Sequence, residues 1–432
     1  FRRLQDKTQV FPLDKSDFVR TRLTHSLEVS SIAKLIGKQV CSLIVEKDIA
    51  PKDNQPDSLK VIEILNCAGL LHDIGNPPFG HFGESAIRNW FKNNLVSRTY
   101  KGKKLINWLS EQQAADLLNY EGNAQALRII TKLHRLTGKN GMHLTSGVMD
   151  TIIKYPVSSL EKIEEDKKDK KERSLLRKKI GYFQSEEEQF MKIKENTGTL
   201  GCRNPLCFIL EAADDLAYTF ADLEDGYKKG LYSYEQLLDT IKDANDTIGA
   251  SLLEKGLEEG KSLIESSEKG FDPYQYAVFT WLTKKQLFSI SRVSEAFIEY
   301  YEDIMNGTFA QELIAVSSEG SLISKLKNFA YDHVYNEAAN LKMELMGNEI
   351  ITFLMDRFLG ALLVYDCEED ISEIEQKYID LLSGNYLNTY QTSSKGKTEG
   401  ERLYLRLLLG ADYIAGMTDS YAKGLYQELK GI

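Results

Sequence analysis

Proline is scarce in this sequence, 8 residues in 432, or about 2% where ~5% is typical, so long stretches are free to be helical. Cysteine is sparse too. The five thiols (Cys41, Cys67, Cys202, Cys207, Cys367) are odd in number, irregularly spaced and include no C-x-x-C pair. This argues against a disulfide framework and suits reduced, small, buried hydrophobes, so a cytoplasmic location is expected. No uninterrupted apolar stretch approaches the ~18 residues that a membrane-spanning helix needs, and nothing within these residues reads as a targeting segment. Positive charge is not in excess: 54 Lys and Arg face 64 Asp and Glu, for a net charge of −10. Nucleic acid is therefore a disfavoured partner, because phosphate neutralisation needs clustered Lys and Arg. What is abundant is core material. Hydrophobic residues make up 42% of the chain, with 22 Tyr and 18 Phe, which excludes a disordered chain and predicts a soluble globular one.

Apolar residues recur at helical spacing along most of the chain, and no alternating strand pattern of useful length occurs. An all-α fold follows. A helix is predicted from about Thr24, with Val29, Ile32 and Ile36 following His25 on one face. A second runs from about Ser58 to His72 and is stopped by Gly75 and Pro77-Pro78. Further helices are predicted over Glu84 to Asn93, Asn123 to Leu136, the residues before Lys154, and Pro205 to Asp222. The run from Glu161 to Lys179 mixes acids with lysines and reads as a solvated helix or loop, with a charged insert at about 161–177. Ser383 to Gly400 reads as a loop before one last helix, Arg402 to Lys430. Helical pattern is expected on both sides of a boundary near residue 230, over 1–230 and over 231–432.

Three helices carry metal-ligand side chains at apolar-face positions: His25, the adjacent His72-Asp73, and the pair Asp214-Asp215. Neighbouring helical residues point about 100° apart, so His72 and Asp73 converge on one ion most easily at a helix end. An ionised Asp there is expensive to bury without a cation or strong hydrogen bonds. A mixed N/O set without thiolate suits Mn, Mg, Fe or Zn and does not choose among them. Directly downstream, His81 precedes Glu84 by three residues in a glycine- and proline-rich turn, a pair suited to proton donation. Asp214, Tyr218 and Asp222 recur at +4 on one helix and could line a pocket.

These residues resemble the HD-domain phosphohydrolases, and within them the deoxyguanosinetriphosphate triphosphohydrolase group. The resemblance rests on eight ordered blocks spread over nearly the whole chain: FRRLQDKTQVFPL (1–13), RTRLTHSLEVS (20–30), LLHDIGNPPFGHFGE (70–84), EGNAQALRI (121–129), IIKYP (152–156), KKIGYFQSE (178–186), EAADDLAYTFADLEDG (211–226) and DYIAGMTDSYA (412–422). It implies hydrolysis of a dNTP to deoxynucleoside and tripolyphosphate. It implies His25, His72, Asp73 and Asp214 as metal ligands, Asp214 being favoured over Asp215 by the family spacing to Tyr218 and Asp222. His81 held by Glu84 would be the general acid. Arg22, Lys154 and Tyr155 would bind phosphate; Gln9, Tyr218 and Asp222 would read the sugar; Asn76 and Asn123 would lie near the substrate. For the block around Asp412 and Tyr413, packing and base contact are equally weighted. The resemblance also implies a homo-oligomer (tetramer or hexamer) and a possible dNTP effector. Two other readings are an HD hydrolase of another nucleotide phosphoester, which would not need so long a cationic tract, and a nucleotide-sensing or single-strand DNA-binding oligomer.

Overall fold

The computed structural model of the chain describes residues 2–11, 13, 18–134, 141–264, 272–336, 338–367 and 370–432. Among them are twenty α-helices and one short ribbon in which β1 (Thr99–Tyr100) pairs antiparallel with β2 (Lys103–Lys104). The fold is all-α, as expected from the helical periodicity.

The N-terminal half comprises α1 (Arg22–Glu46), α2 (Ser58–Leu71), α3 (Gly80–Ser97), α4 (Glu111–Leu118), α5 (Gly122–Arg128), α6 (Ser146–Ile152), α7 (Ser159–Asp166), α8 (Glu187–Thr197) and α9 (Pro205–Lys228). Local sequence sets their starts. Thr21 and Thr24 form a capping box for α1, the Asp57 carboxylate accepts two amide protons at the head of α2, and Asn204 with Pro205 opens α9, each satisfying donors that the first turn leaves free. α1 is central, packing on α2, α9 and α12 (defined below) through Val29, Ile32, Ala33, Ile36 and Val40. Burying each large aliphatic side chain contributes about 1.5–3 kcal/mol. The α1–α2 pair is close because Gly69 faces Ser30: a Cβ there would stand 2.6 Å from the Ser30 Cα.

The remaining helices are α10 (Tyr234–Asp243), α11 (Thr247–Ile264), α12 (Pro273–Glu299), α13 (Tyr301–Met305), α14 (Leu313–Val316), α15 (Gly320–Ala330), α16 (Ala338–Val364), α17 (Glu373–Asp380), α18 (Gly384–Ser393), α19 (Glu399–Ala415) and α20 (Asp419–Lys430). α16 packs against α3 and α19, which brings the C-terminal helices onto the N-terminal half.

Four expectations change at their edges. The Ser383–Gly400 stretch is not all loop, since α18 lies inside it. The single last helix is two, broken at Gly416–Thr418, where the Thr418 hydroxyl caps α20. α3 starts at Gly80, four residues before Glu84. The helix expected to reach Leu136 ends as α5 at Arg128, followed by a wide π turn over Ile129–Leu133; Leu136 lies outside the described residues. The charged run 161–177 closes α7 and continues in turns, its side chains pairing locally as Lys162–Asp166 and Lys167–Glu164.

Candidate metal centre and phosphate tract

His25 lies one turn into α1 and is buried. His72 is the residue that ends α2, and Asp73 follows it. One ligand atom from each of His25, His72 and Asp73 lies within 4.8 Å of the others. Asp214, from α9, closes the fourth side: its Oδ1 is 3.0 Å from His25 Nε2 and 3.5 Å from His72 Nε2. His72 Nδ1 lies 2.7 Å from the Gly69 carbonyl. Donation to that carbonyl leaves Nε2 as the ring's free lone pair, the arrangement that second-shell bonds give metal-binding imidazoles. Among the described residues His72 Nε2 and His25 Nδ1 are buried without hydrogen-bond partners. Buried orphans of this kind are rare and point to a group that binds there. Burial disfavours an imidazolium at His72, but Asp73 and Asp214 outweigh it and raise its pKa to about 9; the carboxylates thus favour positive charge at this point, and a metal ion bound at Nε2 would take the place of the proton. Burial opposes ionisation of Asp73, yet Arg22, His72 and His25 bring it down to about 2. The donor set fits a divalent cation.

Arg22 donates from Nη1 to Asp73 Oδ2 at 2.5 Å, while its buried Nε has no partner among the described residues. Gly80 makes room for it: its φ of +57° is left-handed, and a Cβ would stand 2.8 Å from Arg22 Nη2. Asn76 donates to Asp73 Oδ1 at 2.6 Å and thereby orients the carboxylate.

His81 and Glu84 sit on the first turn of α3, with Nδ1 and Oε2 3.3 Å apart. The His81 side chain is 74% exposed, whereas Glu84 is buried. Glu84 Oε1 accepts the Gly122 amide proton at 2.9 Å. Burial pushes its pKa up, but the His81 bond and Lys179 more than offset this, so it is ionised. It holds His81 with Nε2 outward.

A cationic tract runs along α9. Lys154 Nζ is 3.1 Å from Glu211, which also accepts from Arg203. Lys154 Nζ and the Arg203 guanidinium stand 5.9 and 6.0 Å from the Tyr155 ring. One turn on, Asp215 pairs with Lys327 of α15 at 3.0 Å, and the Lys327 ammonium sits 5.2 Å over the Tyr218 ring. Asp215 is thus a counterion rather than part of the tight three-residue ligand cluster. Asp222 accepts from Tyr335 at 2.5 Å through Oδ2; its Oδ1 and Gln9 Oε1 are buried and have no partner among the described residues. Burial raises the Asp222 pKa to about 7 despite that bond. Tyr335 reaches it from a π turn, Tyr331–Tyr335, after α15. Asn123 contacts Glu121 (3.2 Å), which in turn holds Lys179 at 2.6 Å.

Sequence reading missed Glu211, Lys327, Tyr335 and Lys179. Glu211 had a signal, standing one turn before Asp214-Asp215 on the stripe through Tyr218 and Asp222. Lys327 and Tyr335 had none, since their partners lie more than a hundred residues away.

Residues 22–146 match the HD domain family. Over its full length the chain is 45% identical to a deoxyguanosinetriphosphate triphosphohydrolase-like protein of Listeria monocytogenes, covering 91% of that protein. It is 34% identical to a deoxyguanosinetriphosphate triphosphohydrolase of an Enterobacter species and 32% identical to a like protein of Synechocystis, again across the whole chain and 91% of each relative.

Proposed function

This chain belongs to the deoxyguanosinetriphosphate triphosphohydrolase family of HD-domain hydrolases, and from that premise we propose that it hydrolyses one or several dNTPs to deoxynucleoside and inorganic tripolyphosphate. The observation that carries the reading is that three cations, Arg22, Lys154 and Lys327, are paired to carboxylates at or next to a His-His-Asp-Asp donor set (Asp73, Glu211 and Asp215), more positive charge than a monophosphate needs.

His25, His72, Asp73 and Asp214 would hold a divalent ion (Mn, Mg, Fe or Zn), which supplies charge neutralisation and Lewis-acid polarisation at the α-phosphate. Water attacks the α-phosphorus, the bond to the 5′-oxygen breaks, and tripolyphosphate departs from the sugar. His81 delivers a proton to the 5′-oxygen, its ring aimed by the ionised Glu84. Arg22 offers its unpartnered Nε to phosphate oxygen; Lys154 with Tyr155 takes the rest of the chain, Glu211 holding the ammonium in place until phosphate arrives. Gln9, Tyr218 and Asp222 face the sugar, and the unpaired Gln9 Oε1 and Asp222 Oδ1 are acceptors suited to a 3′-hydroxyl. Asn76 acts through Asp73, and Asn123 stands in the Glu121–Lys179 group. In this reading residues 1–230 form the catalytic core, and 231–432 complete the pocket, to which they bring Lys327 and Tyr335, and make the contacts of a homo-oligomer.

The test is product analysis. Purified protein with Mn²⁺ and each of the four dNTPs should yield deoxynucleoside and intact tripolyphosphate on ion-exchange chromatography, with His72→Ala silent. Formation of dNMP and pyrophosphate would overturn the bond assignment. Silence with single nucleotides and with mixtures would favour a sensor.

A further inference from the structure

The 412–422 block has no part in the chemistry above, yet it holds a buried carboxylate that the helix does not use. Asp419 opens α20, is 1% exposed, and is not the cap, a role that Thr418 fills by accepting from the Tyr421 amide. Its Oδ1 accepts the Phe79 amide proton at 2.9 Å. Its Oδ2 accepts the Thr8 amide proton at 2.9 Å and also the Thr8 hydroxyl. Its own amide donates to the Asp6 carbonyl at 2.9 Å.

A second buried group makes the complementary tie. Lys7 Nζ donates to the Asn76 carbonyl at 2.5 Å and to the Ala415 carbonyl at 2.7 Å. Three segments distant in sequence, 6–9, 76–79 and 415–419, are thereby joined by two buried side chains, the carboxylate of Asp419 and the amino group of Lys7.

Two of these segments each support a group of the proposed site. Thr8 precedes Gln9, and the Lys7 carbonyl accepts the Arg22 amide proton at 3.0 Å. Phe79 precedes Gly80 and His81 and is itself left-handed, with a φ of +60°. A non-glycine residue holds that conformation only where its surroundings impose it. The imposition is visible on two sides: Asp419 takes the amide, and α16 takes the ring at Gly347, where a Cβ would stand 2.9 Å from the Phe79 ring.

We propose that Asp419 is a positioning residue that fixes the segment bearing Gln9 relative to the turn bearing His81, so that sugar recognition and leaving-group protonation share one buried anchor. Three N–H or O–H donors converge on it, and only a carboxylate offers acceptors on both sides; an amide presents its NH₂ to one of them. The catalytic consequence rests on the dNTP reading, but the anchor itself does not.

The test compares the full chain with Asp419→Ala, Asp419→Asn and Thr8→Val. Hydrogen exchange should quicken ~10-fold or more in both 5–11 and 76–83 for Asp419→Ala, the loss expected when charge-assisted bonds are removed. Mn²⁺ affinity by calorimetry should hold within about twofold, because none of these residues is a candidate ligand. kcat for a dNTP should fall ~10- to 100-fold and the preference for dNTP over rNTP should narrow, with Asp419→Asn intermediate. Thr8→Val keeps the backbone donor, and should loosen 5–11 and relax sugar preference while sparing 76–83. If Asp419→Ala fails to fold, Asp419→Asn and Thr8→Val carry the same comparison. Loosening of one segment alone in the Asp419 variants, or an unchanged kcat in the folded variants, overturns the proposal. A wild-type protein without dNTP hydrolysis would defeat the proposed function while the exchange results still decide the anchor.

Discussion

Replacing Lys154 by methionine separates phosphate binding from fold integrity. Among the described residues the ammonium's ion-pair partner is Glu211, at 3.1 Å, and Glu211 keeps a second cation, Arg203, at 2.5 Å. Deleting Lys154 therefore leaves no uncompensated buried charge, and the stability change should stay within about 1 kcal/mol. Burial alone would drive the proton off Lys154, but Glu211 and the neighbouring acids raise its pKa instead, so it is charged at neutral pH. A charge-assisted hydrogen bond contributes about 1.5–3 kcal/mol, so losing one to a phosphate oxygen predicts a ~10- to 150-fold fall in kcat/KM. A contact made equally in ground and transition states would raise KM, and one that tightens as charge develops would lower kcat. The assay is steady-state release of deoxynucleoside from a dNTP, and from the corresponding dNMP if any turnover occurs, with thermal unfolding in parallel. An equal fall on mono- and triphosphate, or a Tm drop large enough to explain the loss, refutes the assignment.

Asp222, with a pKa near 7 against an ordinary 3.8, keeps its proton in the folded state where the unfolded chain has released it, so its contribution to stability is present at low pH and lost as pH rises from about 4 through 7. Asp222→Asn should therefore gain on the wild type, by on the order of a few kcal/mol, between urea titrations at pH 5 and pH 8 in EDTA, and a constant difference contradicts it. Lys194 and Asp150 are both fully buried at 2.5 Å; Lys194→Met should destabilise by about 3–5 kcal/mol, measured by denaturant unfolding, because it strands Asp150 beneath the segment that carries Lys154. Gly80→Ala puts a Cβ against Arg22 in a left-handed residue, and should cost about 1–2 kcal/mol of stability and at least ~10-fold in kcat/KM.

The parts of this protein that were legible in its sequence are the parts that local chemistry determines. Helical period put His25 on the buried face of α1, and a glycine-proline stop put His72 and Asp73 at the end of α2. The Thr21 and Asp57 caps that set where those helices begin are local as well, but they emerged only with the structure. The eight family blocks supplied the functional assignments that spacing left open, including the preference for Asp214 over Asp215. What stayed hidden is non-local. α18 lies in a polar stretch whose composition suggests a loop, and its Tyr386 and Tyr390 are buried only through tertiary packing. The break at Gly416–Thr418 follows from the engagement of Asp419 with Thr8 and Phe79, more than three hundred residues away. Lys327 and Tyr335 look like ordinary residues of an amphipathic helix and its trailing turn until α15 is laid beside α9.

The ties from Asp419 to Thr8 and Phe79 also impose an order in time. Ribosomes add ~5–20 residues per second, so the roughly 400 positions between His25 and Asp419 take ~20–80 s to synthesise. Over that interval a nascent chain can expose the candidate metal ligands while its N-terminal segment and His81 turn still lack their shared anchor. Competence would then arrive late in translation, and a fragment truncated before residue 419 should be inert toward dNTPs even if it binds Mn²⁺.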